Sequence, residues 1–340
     1  MIFKRLAGLL APAFFAALLT AQELPVQVQD VLKLPRTERV VIRRLGGPLA
    51  LDGLSNEPAW QGIRPFCMVQ HAPSFGEPPS ERSEALLAYD DDYVYAAGRL
   101  YDREPDKIQA QTKKRDAMVA TSDWFGVFFD TFNDKENALA FLTTPAGLRF
   151  DAAVFRDAQI NVANDMPINL SWNTFWDVAV ARTPDGWSVE MRIPLSSLRF
   201  QRSGDDVVMG VTLFRWISRR NETDVFPAIR PDWGEMSTWK PSQCQETVWP
   251  GLRPRRPLYL TPYTLTGFDR TYELNDEETA YVRGGSPKLE LGLDLKYGLT
   301  GNLTFDATVN PDFAQVEADD VQVNLTRFSL FFPEKRLFFQ

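Results

Sequence analysis

What most limits the folds open to this chain is a train of short β-forming runs, each closed by a turn signal. Ser83 to Tyr89 (SEALLAY) and Tyr93 to Tyr101 (YVYAAGRLY) flank Asp90-Asp91-Asp92, whose short acidic side chains favour a turn, so the pair predicts a hairpin. Trp124 to Asp130, Ala138 to Thr143, Phe150 to Phe155, Trp176 to Arg182, Trp187 to Ile193 and Val207 to Ser218 continue the series, separated by Asn, Asp, Gly and Pro clusters. Helical spacing is confined to a turn at Glu57 to Trp60, where Pro58 suits a first helical position, and another at Leu195 to Leu198. Many short strands with few helical periods predict an all-β fold, an antiparallel β-sandwich.

At 340 residues with 44% hydrophobic and 24% charged residues, the chain has material for one large domain or two smaller ones. Its 37 Lys and Arg against 45 Asp and Glu give a formal charge of -8 with no basic block, which excludes nucleic acid as a partner. Lys4 and Arg5 precede the apolar run from Leu6 to Leu19, and Thr20 and Ala21 follow. Residues 1–21 therefore read as a secretory signal, the apolar run being shorter than the about 20 residues a membrane span needs, and 22–38 as a linker. Export permits Cys67 and Cys244 to pair and staple the first and last segments of one domain; two free thiols is the alternative.

Catalytic chemistry is constrained by what the chain lacks. His71 is the one histidine, no G-x-S-x-G elbow occurs, and neither phosphate-binding glycine motif is present. What remains is carboxylate chemistry, such as hydrolysis of O-glycosyl compounds by paired acids, or binding without catalysis.

Several ordered stretches carry a family likeness. "LALDGLSNEPAWQGI" (Leu49 to Ile63), "ALLAYDDDYVYAAGRLYDREPDKI" (Ala85 to Ile108), "SDWFGVFFDTF" (Ser122 to Phe132) and "DGWSVEMRIPLSSLRF" (Asp185 to Phe200) resemble the family 9 carbohydrate-binding module, in the order found there. The resemblance covers roughly Val40 to Leu252 and implies a jelly-roll-like carbohydrate-binding sandwich over residues 39–252. Asp52-Gly53 suits a sharp turn, Trp60 an apolar plug, Trp187 a core position, and Arg192 with Pro194 the end of an edge strand.

Sugar recognition needs exposed aromatic faces for pyranose C–H groups and polar groups for hydroxyls. The resemblance implies a clamp of two tryptophans, yet the position of the first is held by Ala120. Trp233, with Trp239 nearby and Asn221, Glu222 and Asp232 as polar company, is the expected ligand-binding set; Trp124, Trp172 and Trp176 are further candidates, with burial by alternation along their strands as the equal alternative. The resemblance also implies calcium as a cofactor. Asp130, Asn133, Asp134 and Glu136 offer hard oxygen donors in one loop, but without EF-hand spacing, so a solvated hairpin loop is the preferred reading and no metal ligand is assigned.

Beyond "GLRPRRPLYL" the pattern changes. Leu289, Leu291, Leu293, Leu295 and Tyr297 alternate with Lys288, Glu290, Gly292, Asp294 and Lys296, and Leu303, Phe305, Ala307 and Val309 repeat the alternation after a turn at Thr300-Gly301. Strands of about 10 residues with one apolar face suit an outer-membrane barrel, and a soluble amphipathic hairpin against the sandwich is the alternative. "LTFDATVNPDFAQVEADDVQVNLTRFSLFFPEKRLFF" (Leu303 to Phe339) is similar to the start of an uncharacterised barrel-like domain that follows a family 9 module in bacterial surface proteins. Residues 253–340, closing on Phe331, Phe332, Phe338 and Phe339, are thus expected to be the truncated start of a barrel.

The expectation is a carbohydrate-binding protein of the cell envelope, serving polysaccharide capture and breakdown without catalysis of its own. It would be exported to the periplasm, outer membrane or cell surface of a Gram-negative-type bacterium. The alternatives are an appendage of an outer-membrane transport barrel with no sugar preference, and a glycoside hydrolase.

Overall fold

The computed structural model describes residues 27–160, 166–255, 258–299 and 303–310. The expected signal at 1–21, the Thr300-Gly301 turn and the closing phenylalanines lie outside the described residues.

A short helix α1 (Val28–Lys33) precedes the strands. These are β1 (Val40–Val41), β2 (Arg43–Arg44), β3 (Val69–Ala72), β4 (Ser83–Tyr89), β5 (Tyr93–Tyr101), β6 (Trp124–Asp130), β7 (Ala138–Thr143), β8 (Arg149–Val154) and β9 (Ile168–Asn169). There follow β10 (Asp177–Thr183), β11 (Gly186–Pro194), β12 (Arg202–Ser203), β13 (Asp206–Ile217), β14 (Glu222–Phe226), β15 (Gln245–Pro250), β16 (Leu258–Leu274), β17 (Tyr281–Gly298) and β18 (Thr304–Val309).

Two sheets stack face to face. The larger runs β1-β15-β13-β6-β7-β8-β9, with β12 and β14 also on β13 and β3 on β14; the smaller runs β10-β11-β5-β4-β2. β13 is the spine: Asp206 to Val211 pair with β15, Leu213 to Ile217 with β14, and Gly210 to Trp216 with β6. The pairing is antiparallel except where β1 and β2 lie parallel against β15 and β4. Between the sheets, Phe125, Val127 and Phe129 of β6 and Val207, Met209, Val211 and Leu213 of β13 pack with Leu87, Ala96, Val189 and Met191 of the smaller sheet. Burial of this apolar surface drives the stacking.

Arg215 ties the layers across that core. Its guanidinium is buried and donates to Arg82 O at 2.9 Å, Glu81 O at 3.3 Å, Ser83 Oγ at 2.7 Å and Tyr101 O at 2.7 Å, so a β13 side chain holds the ends of β4 and β5.

Two expectations change. Residues 28–38 are docked onto the sandwich: Val31 and Leu34 join the core, and the Gln245 amide donates to the carbonyls of Pro35, Arg36 and Glu38. Pro194 does not lie on an edge strand, because β10 flanks β11; it ends the strand opposite Tyr93, where the ladder needs no further donor. Cys67 and Cys244 are free thiols; Cys244 is buried and its Sγ accepts from Thr212 Oγ1 at 3.3 Å, while half-buried Cys67 immediately precedes Met68 and β3. Trp60 and Trp187 are buried as expected.

Among the described residues, β16, β17 and β18 form a separate three-stranded antiparallel sheet that does not close into a barrel. Phe175 stacks on Tyr259 at 6.2 Å, and Arg255 donates to Asp91 O at 2.9 Å and pairs with Asp92.

Candidate functional site: an aromatic face and the Trp233 loop

The larger sheet is apolar on its outer face too, since β6 is buried at every position. Trp124 and Phe128 of β6, Leu142 of β7 and Phe150 of β8 form a second cluster there, joined by half-buried Phe214 and Trp216 of β13 and by Trp239. Trp239 meets Phe128 edge-on at 4.9 Å and Phe150 at 6.3 Å; Trp124 meets Phe150 at 6.0 Å. These are the edge-to-face arrangements that ring quadrupoles favour. The neighbouring carbonyls of Val119 and Ala120 accept from the indole N–H groups of Trp124 and Trp216, each at 3.0 Å. Ala120 thus enters the site through its backbone.

Beside this face the chain makes successive turns at Pro231–Trp233 and Ser237–Trp239. Of the nine tryptophans, Trp233 alone is mostly exposed, at 53%. Asp232 and Arg230 pair at 2.8 Å next to it; the guanidinium holds the Asp232 carboxyl below the usual carboxylate range. One imidazole braces the loop at both ends: His71 Nδ1 lies 2.7 Å from Ile229 O and Nε2 lies 3.2 Å from Ser237 Oγ. A carbonyl only accepts, so Nδ1 carries the proton and Nε2 accepts from the serine hydroxyl. Burial lowers the His71 pKa, which favours this neutral ring. With a backbone carbonyl where an orienting carboxylate would stand, the Ser237–His71 pair is a brace and not a nucleophile with its base.

The expected set is only partly brought together. Trp233 and Asp232 share one exposed turn. Trp239 is half-buried against Phe128 and Phe150, and Trp124 is buried with its N–H spent, because alternation turns it into the outer-face cluster. Glu222 is buried and accepts from Ser80 N at 2.8 Å; Asn221 is exposed but serves as the left-handed residue (φ 50) after the turn Ser218–Arg220. Both stand at the start of β14, about 13 Å by strand rise from the end leading to Trp233. Trp176 is buried with its N–H on Asp151 Oδ1 at 3.2 Å, and Trp172 packs edge-on against Phe141. Trp216 went unnoticed in the sequence, although its alternation with core-facing Leu213 and Ile217 places it on the outer face.

The 130–137 loop does not fit the calcium that the family likeness implies. Buried Asp130 accepts from Asp134 N at 3.0 Å and Lys135 N at 2.9 Å, and burial pushes its pKa up to about 6. Asp134 accepts from Glu136 N, Asn137 N and Asn137 Nδ2, each at 2.8 Å, and Glu136 points into solvent. Their oxygens close the loop instead of converging on an ion.

Residues 254–340 match a family described as a domain of unknown function, DUF5916. No curated protein matches the chain. Among solved structures, it is similar to a family 9 carbohydrate-binding module from Caldicellulosiruptor kristjanssonii in complex with cellotriose, at 16% identity and a TM-score of 0.41, over 63% of this chain and 95% of that one. The same module with glucose gives 16%, 0.40, 63% and 97%. A Bacteroides uniformis protein described as a candidate carbohydrate binder gives 11%, 0.46, 62% and 98%.

Proposed function

We propose that this chain binds carbohydrate through the Trp233 loop, as a non-catalytic module of the bacterial cell envelope that serves polysaccharide capture and breakdown. One observation carries the reading: Trp233 holds a large aromatic face in solvent, on a turn pinned by His71 and next to a charged pair able to hydrogen-bond hydroxyls. The ordered motifs shared with family 9 modules support it. Cellotriose and glucose, the sugars in the similar solved modules, are the first probes. In calorimetric titration the full chain is expected to bind one of them saturably, and Trp233→Ala to abolish binding while the thermal midpoint holds. Binding that survives Trp233→Ala would refute the site.

A second reading concerns the β16–β18 sheet. Register puts Leu258, Leu260, Phe268, Leu274, Tyr281, Leu289, Leu291, Leu293, Tyr297, Phe305 and Val309 on one face, and Lys288, Glu290, Asp294, Lys296 and Asp306 on the other. Most of the apolar set is exposed. From Tyr297 to Pro287 the face runs about 34 Å along the strand, or about 24 Å at the usual tilt, close to the lipid-facing band of an outer-membrane barrel. Gly292 leaves room for the Tyr263 ring across the polar face, since a Cβ there would lie 2.1 Å from Tyr263 Cζ. We propose an outer-membrane location for this part, tested by flotation with outer-membrane lipid vesicles; a chain that stays with the soluble fraction refutes it.

A further inference from the structure

The residues that carry Trp233 form an exposed arch. Residues 230–235 all face solvent, and among the described residues their hydrogen bonds stay inside the arch: Gly234 N donates to Pro231 O at 3.1 Å, and Ser237 N to Gly234 O at 3.0 Å. Arg230 and Asp232 likewise pair with each other. The two feet, Ile229 and Ser237, are buried, and the His71 ring ties one to the other.

A break in strand register aims that ring. β3 is an edge strand held by β14, where Asp224 pairs with Gln70 and Thr223 with Ala72; β3 thus carries one residue more than its partner across that step, and His71 is the extra one. A bulge at a sheet edge re-aims a side chain. Gln70 fixes the strand beside it, its N–H donating to Glu77 O at 3.0 Å and its amide to Pro78 O at 2.9 Å.

The neutral ring suits this place and the imidazolium does not. A proton on Nε2 turns an acceptor into a donor, and the buried Ser237 hydroxyl, which has no other partner among the described residues, is left with no acceptor for its own proton. The charged groups on the strand and helix packed against β3 are Glu222 and Asp224 of β14 and Asp30 and Lys33 of α1, with Glu77 in the turn that follows. On the arch they are Arg230, Asp232 and Glu235, and Lys240 beyond it pairs with Asp157. None of these pairs with the ring, and a buried imidazolium without a carboxylate partner is costly. Burial accordingly lowers the His71 pKa from 6.5, against the opposing pull of the Ile229 carbonyl. The brace is therefore complete above 6.5 and fades as pH falls toward the lowered value.

We propose that His71 is the positioning residue of the Trp233 loop and that acid unpins it: a proton on Nε2 frees the arch and releases the ligand held there. The ligand rests on the carbohydrate reading above; the release of the arch does not.

His71 is the one histidine of the chain, so the full chain with ring-nitrogen-labelled histidine gives a single imidazole to follow by NMR. The Nδ1–H tautomer is expected at pH 7. His71→Asn keeps a donor for the Ile229 carbonyl but does not titrate. Hydrogen exchange of the 230–237 amides, taken as parent over His71→Asn at each pH, is expected to rise at least about fivefold from pH 7 to pH 5, in step with the imidazole titration. Cellotriose and glucose are the ligand probes, and the affinity of whichever binds is expected to fall by the same factor in the parent and to stay level in His71→Asn. Ser237→Ala, which keeps the ring but removes its second contact, is expected to exchange fast at both pH values, a test that stands even where His71→Asn fails to fold. Glu235→Gln is expected to keep the acid response. An Nε2–H tautomer, arch exchange that ignores the imidazole titration, or an acid response lost in Glu235→Gln overturns the proposal. Acid release of the arch with neither sugar bound at any pH supports the brace and refutes the carbohydrate reading instead.

Discussion

Arg215→Met removes the clamp between the two sheets. The guanidinium makes four hydrogen bonds, to three backbone carbonyls and one hydroxyl, and all four acceptors belong to the ends of β4 and β5 or the residues just before β4. Each buried acceptor left without its donor costs about 1 kcal/mol or more. Burial lowers the Arg215 pKa, with Asp224, Asp123, Asp102 and Glu81 opposing the shift, so removing the cation recovers some desolvation and forfeits some attraction. Methionine fills similar volume, which limits the cavity cost. The balance is a loss of about 3–5 kcal/mol, the range found when one partner of a buried charge network is deleted. Urea titration of the full chain at pH 7, followed by tryptophan fluorescence, reads it. Arg215→Lys, which keeps the charge but loses the fork, is expected to fall between. A loss under about 1 kcal/mol for Arg215→Met would refute the reasoning, since core packing alone would then hold β4 and β5 in place.

Asp224 stands opposite Arg215 on β14, fully buried, with neither oxygen accepting a hydrogen bond; burial and then the Glu222 charge raise its pKa from 3.8 to about 8. A raised carboxyl contributes stability that is fully present below the unfolded pKa and lost as pH rises toward 8. Asp224→Asn should therefore gain on the parent by on the order of 3 kcal/mol between pH 5 and pH 8, and a difference that stays flat in paired melts across that window would rule this out. Gly126→Ala would put a Cβ 2.6 Å from Leu142 Cγ beneath the aromatic face, and is expected to cost about 1–3 kcal/mol by chemical denaturation. Leu142→Ala in that background should recover part of the loss; no recovery would mean the backbone, not the side chain, sets the cost.

Local chemistry alone determined much of this protein. The β4–β5 hairpin falls where it was read because Asp90 Oδ1 caps its own turn, accepting from Asp92 N and Tyr93 N at 2.8 and 2.7 Å. β6 and β7 likewise match their apolar runs, and the alternation of β17 needed nothing beyond the pleat. β1, β3, β14 and β15 escaped notice because they are short or apolar-poor and owe their pairing to β13 and its neighbours. Only the tertiary structure decided which tryptophan meets solvent. With both faces of the larger sheet covered, a period of two separates the faces without saying which is dry, so Trp124 stayed a candidate behind Trp233. Nor could spacing place Glu190 against Trp60, 130 residues earlier. That contact exists because an N-terminal loop folds over a late strand, and the proximity belongs to the packing of the sheets, not to any run of residues.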